Sequence, residues 1–303
     1  MKFGKLPDIS HVDFSLPPDH PKTVQLFKSL KPNPNPLEVY IGCTGFSMKE
    51  WVGTVYPDNT KSKDYLKHYS RQFNTIEFNT THYRIPKPET VQKWKEAAAP
   101  GFLFCPKILQ TISHSGDLGM SKDTLNWFSD AMDRFGDKLG CCFMQMPPYW
   151  KSDKLNILET FLQQFPEEIN LAIELRHTDW FSSLEALDSF GNLLQSYKIS
   201  TVITDVAGRR DVLHQLLTTG TAMIRFVGNG LHPSDYQRID SWVQRLKKWS
   251  GKGLKRVYFF MHQPDNLKSP EMVVYLTQQL NQHLDLSLEP PSLNSGSAQI
   301  SLF

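Results

Sequence analysis

The sequence predicts an α/β fold in a single domain, a closed (β/α)8 barrel of the TIM-barrel type, and three observations carry that expectation. Short apolar runs recur eight times, roughly every 20–35 residues. The runs are apolar almost throughout rather than alternating, as strands are when both faces of a parallel sheet are covered. Amphipathic segments separate them, so strand and helix alternate over about 250 residues, the size of such a barrel. A doubly wound open sheet is the competing arrangement. It has fewer strands as a rule, and no glycine-rich phosphate loop follows the first run.

In chain order, residues 1–38 carry seven prolines and little apolar clustering apart from "KTVQLFKSL", a short helical candidate. They read as an extension draped over a neighbouring surface. The eight strand candidates are "VYIGCTG" (39–45), "NTIEFN" (74–79), "FLFCPKI" (102–108), "LGCCFMQM" (139–146), "INLAIELR" (169–176), "ISTVITD" (199–205), "TAMIRFVG" (221–228) and "RVYFFMH" (256–262). Between them, "SKDTLNWFSDAMDRFG" predicts a helix capped by Ser121. "SSLEALDSFGNLLQSY" sets Leu184, Leu187, Leu194 and Tyr197 along one face, and "SPEMVVYLTQQLNQHL" places Ser269 as cap with Pro270 in the first turn. The basic run "RLKKWSGKGLKR" falls at a helix end and reads as a solvated face. Ser, Pro and Gly then take over, so the expected organisation is an extension at 1–38, a barrel at 39–286 and a flexible tail at 287–303.

Composition excludes several classes. With 21% charged and 40% hydrophobic residues among 303, this is a soluble globular composition, and a formal charge of +2 advertises no global nucleic-acid or membrane field. No run approaches a membrane span, and "MKFGKLPDIS" lacks the apolar core of a signal peptide. Cys43, Cys105, Cys141 and Cys142 sit in apolar runs without a C-x-x-C pair, which predicts buried, reduced thiols, none a nucleophile, and a cytoplasmic protein.

Chemistry in a barrel of this kind sits at the carboxyl ends of the strands. There the sequence places Glu77 and Asn79, Lys107, Gln145, Glu174 and Arg176, Asp205, Arg225 and His262. Such groups must pair with one another or face a wet pocket, because isolated buried charge is costly. A ring of internal salt bridges is the structural role competing with a ligand site. Three cations, three carboxylates and a histidine on one rim suit an anionic ligand such as a phosphoester. Glu77, Glu174 or Asp205 would transfer protons, and Asn79, Tyr83, Arg84, Lys107, Gln145, Arg176, Arg225 and His262 would hold the ligand. Tyr83 and Arg84 follow the second strand directly, where an aromatic beside a base can stack on a nucleobase or sugar. A phosphoester hydrolase or lyase fits this pattern. So does a non-catalytic nucleic-acid or protein-binding module, or a sugar-phosphate isomerase or aldolase with Lys107 as a Schiff-base amine. Glu77, Glu174, Asp205 and His262 have the donor chemistry for a divalent metal, but no H-x-H or H-E-x-x-H motif favours one and no other cofactor is indicated.

Seven blocks, "IGCTGFSMKEWVGTVYP", "FNTIEFNTTHYRIPKPETVQKW", "FCPKI…ISH", "MQMPP", "IELRHTDWF", "TVITD" and "MIRFVG", resemble in order the YecE-like family, domain of unknown function 72. The resemblance covers about residues 39–285 and implies a TIM barrel without supplying a reaction. The family's recurrent polar positions fall on Glu77, Asn79, Tyr83, Arg84, Lys107, Gln145, Glu174, Arg176, Asp205 and Arg225. Two places depart from it: Phe46-Ser47-Met48 stands where Trp-Ser-Tyr is usual, and "MHQPDN" where an Asn-rich end is usual, which makes any role of His262 particular to this chain. Separately, "QISLF" at 299–303 resembles the bacterial sliding-clamp-binding motif, with Gln299 setting register and Leu302 and Phe303 as apolar anchors for a clamp pocket. That partner would favour a nucleic-acid phosphodiester as the rim's ligand.

Overall fold

All eight apolar runs form strands in a computed structural model of the chain, and every pairing between them is parallel. The structure describes residues 4–31, 33 and 35–294. The strands are β1 (Glu38–Cys43), β2 (Thr75–Phe78), β3 (Leu103–Pro106), β4 (Cys142–Gln145), β5 (Leu171–Glu174), β6 (Ser200–Asp205), β7 (Thr221–Val227) and β8 (Arg256–His262). The helices are α1 (Pro21–Ser29), α2 (Tyr65–Gln72), α3 (Thr80–Tyr83), α4 (Pro88–Ala97), α5 (Gln110–Ser113), α6 (Thr124–Asp133), α7 (Leu155–Gln164), α8 (Leu184–Ser196), α9 (Pro233–Ser250) and α10 (Ser269–Leu284).

The strands have two buried faces, which is why their runs are unbroken. Alternate residues form a small inner cluster, Cys105, Cys141, Phe143, Ala172, Val202, Met223, Tyr258 and Phe260. The intervening residues, among them Ile41, Phe104, Met144, Ile173, Ile203, Ile224 and Phe259, join the large cluster under the helices.

The closed eight-stranded barrel does not form. Six strands make one open, strongly curled parallel sheet in the order β1-β8-β7-β6-β5-β4, and β2 and β3 make a separate pair. The two seams show why. Between β1 and β2 side chains replace the ladder: Asn74 Oδ1 accepts from Ile41 N at 2.7 Å, and Asn74 Nδ2 donates to Val39 O at 2.8 Å. Tyr69 Oη accepts from Cys43 N at 2.7 Å and donates to Thr75 O at 3.1 Å. Gly42 allows the approach, since a Cβ there would lie 2.0 Å from Thr75 O. Between β3 and β4 only isolated bridges occur, at Phe104–Leu139 and Lys107–Phe143. Run length and count do not reveal whether neighbouring runs share a continuous ladder.

Three local expectations change. Ser121 does not cap α6; its N–H goes to Asp117 Oδ2 at 3.0 Å, and the helix starts at Thr124. Lys268 holds the N-cap position of α10 without a side-chain capping bond, and Ser269 is already helical. Leu184 is exposed at the start of α8, whereas Leu187, Phe190 and Leu194 turn inward.

The N-terminal residues are fastened at several points. Gly208 N donates to Gly4 O at 2.9 Å, Arg210 to Ser15 O at 2.9 Å, and Thr23 Oγ1 to Gln215 O at 2.7 Å. Asp19 takes Arg245 and Trp249 at 2.9 and 3.0 Å, so part of the basic run on α9 is a docking point rather than a solvated face. At the other end Ser292 N reaches Gln72 Oε1 at 2.8 Å and Asn294 N reaches Thr54 O at 2.9 Å. The segment Gln299–Phe303 lies outside the described residues.

Candidate functional site

Strand alternation decides which polar residues meet. Glu77, Lys107, Gln145, Glu174 and Arg225 share the parity of the inner cluster, and all stand at or near strand carboxyl ends. They form one hydrogen-bonded group. Arg225 is its centre: Nε and Nη2 donate to the two oxygens of Glu77 at 2.8 and 3.0 Å, and Nη1 donates to Glu174 Oε2 at 2.8 Å. This is a forked guanidinium shared between two carboxylates that are each 1% exposed. His262 Nε2 lies 2.8 Å from Glu77 Oε2, and Asn79 Nδ2 donates to Glu77 Oε1 at 3.0 Å.

On the other side, Gln145 Nε2 donates to Glu174 Oε2 at 2.8 Å. Its oxygen accepts from Lys107 Nζ at 3.0 Å and from Arg176 Nη1 at 3.2 Å. Arg176 Nε also stands 3.8 Å from Glu174 Oε1. Two cations therefore converge on one neutral amide oxygen at the mouth.

Burial alone would raise the carboxyls. For Glu77, Arg225 and His262 outweigh it and hold the group well below the usual carboxylate range; for Glu174, Arg225 and Arg176 outweigh it and lower the group. Both stay ionised at neutral pH. Lys107 moves the other way: burial, then the neighbouring Arg225, brings its ammonium down to about 8, with the carboxylates only partly opposing.

Asp205 is not part of the group. Its register partner is Phe226, whereas Thr204 pairs with Arg225. Asp205 therefore points outward, where Arg238 Nη2 meets it at 2.8 Å, Trp242 Nε1 donates at 2.8 Å, and Arg210 pairs with it as well. Arg238 stacks over Phe226 at 4.1 Å, so this is a buried strut between β6 and α9. The sequence reading missed Thr204, which faces inward with a buried hydroxyl that has no hydrogen-bond partner among the described residues. Tyr83 and Arg84 are exposed at the end of α3. The four cysteines are free and buried, and burial pushes Cys43 up and Cys105 up to about 12.

Among the described residues no group of three or more His, Cys, Asp or Glu is placed to hold a metal ion. Glu77 and His262 touch, but Arg225 stands between that pair and Glu174 and supplies the cation itself. Among the described residues no helix is long and apolar enough to cross a membrane.

The profile of the family described as "Protein of unknown function DUF72" matches residues 40–295. UPF0759 protein YecE of Escherichia coli is 30% identical over 264 residues, covering 81% of this chain and 94% of that protein. UPF0759 protein YunF of Bacillus subtilis is 25% identical over 151 residues, 48% of this chain and 52% of that one. Among solved structures, a DUF72 family protein of Enterococcus faecalis superposes with a TM-score of 0.64 at 19% identity, over 83% of this chain and 99% of that one. Another, from Thermotoga maritima, gives a TM-score of 0.60 at 23% identity, over 82% of this chain and all of its own, 100%. The seven sequence blocks, the fold and these matches agree: the chain belongs to the DUF72 (UPF0759) family.

Proposed function

We propose that the rim binds a phosphate-bearing anion between Lys107 and Arg176, and that Lys107 is the group that moves a proton there. The observation that carries this reading is the convergence of Lys107 and Arg176 on Gln145 Oε1 at 3.0 and 3.2 Å. An ammonium has three donors, so Lys107 keeps donors beyond the one it gives Gln145 Oε1 for an incoming oxyanion, and Arg176 adds a second positive charge beside it. Both carboxylates give oxygens to Arg225, which offsets much of their charge. Gln145 ties both halves together and sets the spacing of the two cations.

Proton transfer belongs to Lys107 rather than to Glu77 or Glu174. A useful acid or base titrates near the working pH; Lys107 does, at about 8, and the two carboxylates are held below their usual range. Those carboxylates instead fix Arg225 and, through Gln145, the two cations. The same lowered pKa is the one observation in favour of a Schiff-base lysine acting on a sugar phosphate, and borohydride trapping of a carbonyl substrate on Lys107 would bring that reading forward.

The test is calorimetric titration with inorganic phosphate and with a panel of phosphomonoesters and phosphodiesters, from pH 6.5 to 9.5. Lys107→Met and Arg176→Met should each weaken binding by roughly 10- to 100-fold, the value of a charge-assisted hydrogen bond. An anion favours the ammonium form, so wild-type affinity should be full below about pH 8 and fall above it. Affinities equal in wild type and both variants, or flat with pH, would overturn the reading.

A further inference from the structure

Beside Lys107 the rim carries an arc of rings that an anion site alone does not use. Tyr83, at the end of α3, is 75% exposed, and Tyr149, in the loop after β4, is 56% exposed. Their loops flank β3, the strand that presents Lys107. Two histidines link them, through ring contacts on the Tyr83 side and a hydroxyl-to-backbone bond on the Tyr149 side. His82 lies 5.3 Å from Tyr83 and 5.6 Å from His114, and Tyr149 Oη donates to His114 O at 3.1 Å. The arc is built on the β3 end itself: His82 Nδ1 meets Ile108 O at 2.8 Å, and Thr81 Oγ1 donates to Lys107 O at 2.8 Å.

Cations border the arc. Arg84 is exposed next to Tyr83, and Lys154 stands 6.0 Å above the Tyr149 ring. Both histidines are neutral at pH 7. Burial brings His82 down to about 4, and burial followed by the charges of Lys107 and Arg176 lowers His114, which also places those two cations close to the arc. Flat uncharged faces next to cations offer what a nucleobase and its phosphate need together.

We infer that the rim takes a single-stranded oligonucleotide, with backbone phosphates at Lys107 and Arg176 and bases stacked on Tyr83 and Tyr149. The inference rests on the anion site proposed above and adds the class of molecule that carries the anion. A lone sugar phosphate would fill the site between the cations and leave both tyrosines untouched. A duplex keeps its bases stacked internally and cannot lay them on the two rings.

Fluorescence anisotropy of a labelled ten-thymidine strand at low salt tests it, with the matching duplex, thymidine monophosphate and inorganic phosphate as competitors. The strand should bind more tightly than any competitor. Tyr83→Ala and Tyr149→Ala should each weaken strand binding by about 5- to 100-fold, the value of one stacked base, while phosphate affinity stays at the wild-type level. Both side chains are exposed, so the variants should keep the wild-type circular dichroism, and Tyr83→Phe should restore binding. Equal strand affinity in wild type and the two alanine variants, or a duplex or monophosphate that binds as well as the strand, overturns the inference. Phosphate binding without strand binding overturns it too and leaves the anion site standing. Strand binding that needs both tyrosines yet survives Lys107→Met would instead overturn the anion site and keep the stacking surface.

Discussion

Arg225 has two carboxylate partners in a place with little solvent, so its removal reads out the whole group. The desolvation of Glu77 and Glu174 is compensated chiefly by this one guanidinium. Arg225→Met should therefore cost about 3–5 kcal/mol near neutral pH, the usual penalty for stranding buried charge. The pH dependence should also change sign. In the wild type both folded-state pKa values lie below the unfolded ones, so the contribution to stability is present above the ordinary carboxylate range and fades as pH falls through the depressed values. In the variant burial dominates and raises the carboxyl pKa values. Its stability should be greatest in acid, where both groups are protonated, and decline as pH rises through those values. Urea unfolding of both proteins between pH 3 and 8 checks this; parallel profiles would mean that Arg225 does not set the ionisation of the pair. Lys107 carries the opposite burden. Its lowered pKa means that the buried ammonium weakens the fold below about pH 8, and this penalty is relieved between there and the unfolded value of 10.5.

At the scale of elements, the eight strands were legible because each is an unbroken apolar run, and most of the polar group was legible because each member ends such a run. His262 was placed at the rim in the same way although it departs from the family pattern, and its ring sits against Glu77 at 2.8 Å. Two things were not legible. Asp205 ends its run one residue out of phase with Val202 and Thr204, and a charged residue at a strand end looks alike whichever face it takes. The seam between β1 and β2 is held by Asn74, the first residue of the expected second strand, and by Tyr69 ahead of it, and no periodicity reports side chains that stand in for a ladder. That seam gives a sharp test. Asn74→Ala removes the partner of Ile41 N and of Val39 O at once. Each stranded backbone group costs about 1–3 kcal/mol, so a loss of roughly 2–6 kcal/mol is expected, with faster amide exchange at Ile41 than in the β7–β8 pair. Wild-type exchange at Ile41 in the variant would show that the seam does not depend on Asn74.

At the scale of the whole molecule, the two ends of the chain are tied to different sides of the sheet. Residues 4–23 run along β6, β7 and α9, held through Gly208, Arg210, Gln215 and Arg245. Residues 288–294 cross α2, and the last described residue, Asn294, is bonded to Thr54 in the loop after β1. That loop leaves the carboxyl end of its strand, as do the loops that bear Tyr83 and Tyr149. Gln299–Phe303 follows this anchor by a few residues. We propose that Gln299, Leu302 and Phe303 engage a bacterial sliding clamp, with two apolar side chains entering a preformed pocket and an amide fixing register. The sequence supports it through the Gln-x-Ser-Leu-Phe pattern behind a Ser/Pro/Gly-rich linker. Such a partner holds the protein on DNA and raises the local concentration of strands at the rim, so the two sites would act as linked modules. Surface-immobilised clamp should capture the full chain, and capture should be lost both on truncation after Asn294 and in a Leu302→Ala, Phe303→Ala double variant. Strand binding by the isolated protein should be unchanged by either, because Lys107, Arg176, Tyr83 and Tyr149 carry it. Equal capture of full-length and truncated chains, or no capture of either, would refute the clamp partner and leave the rim chemistry to be judged by its own tests.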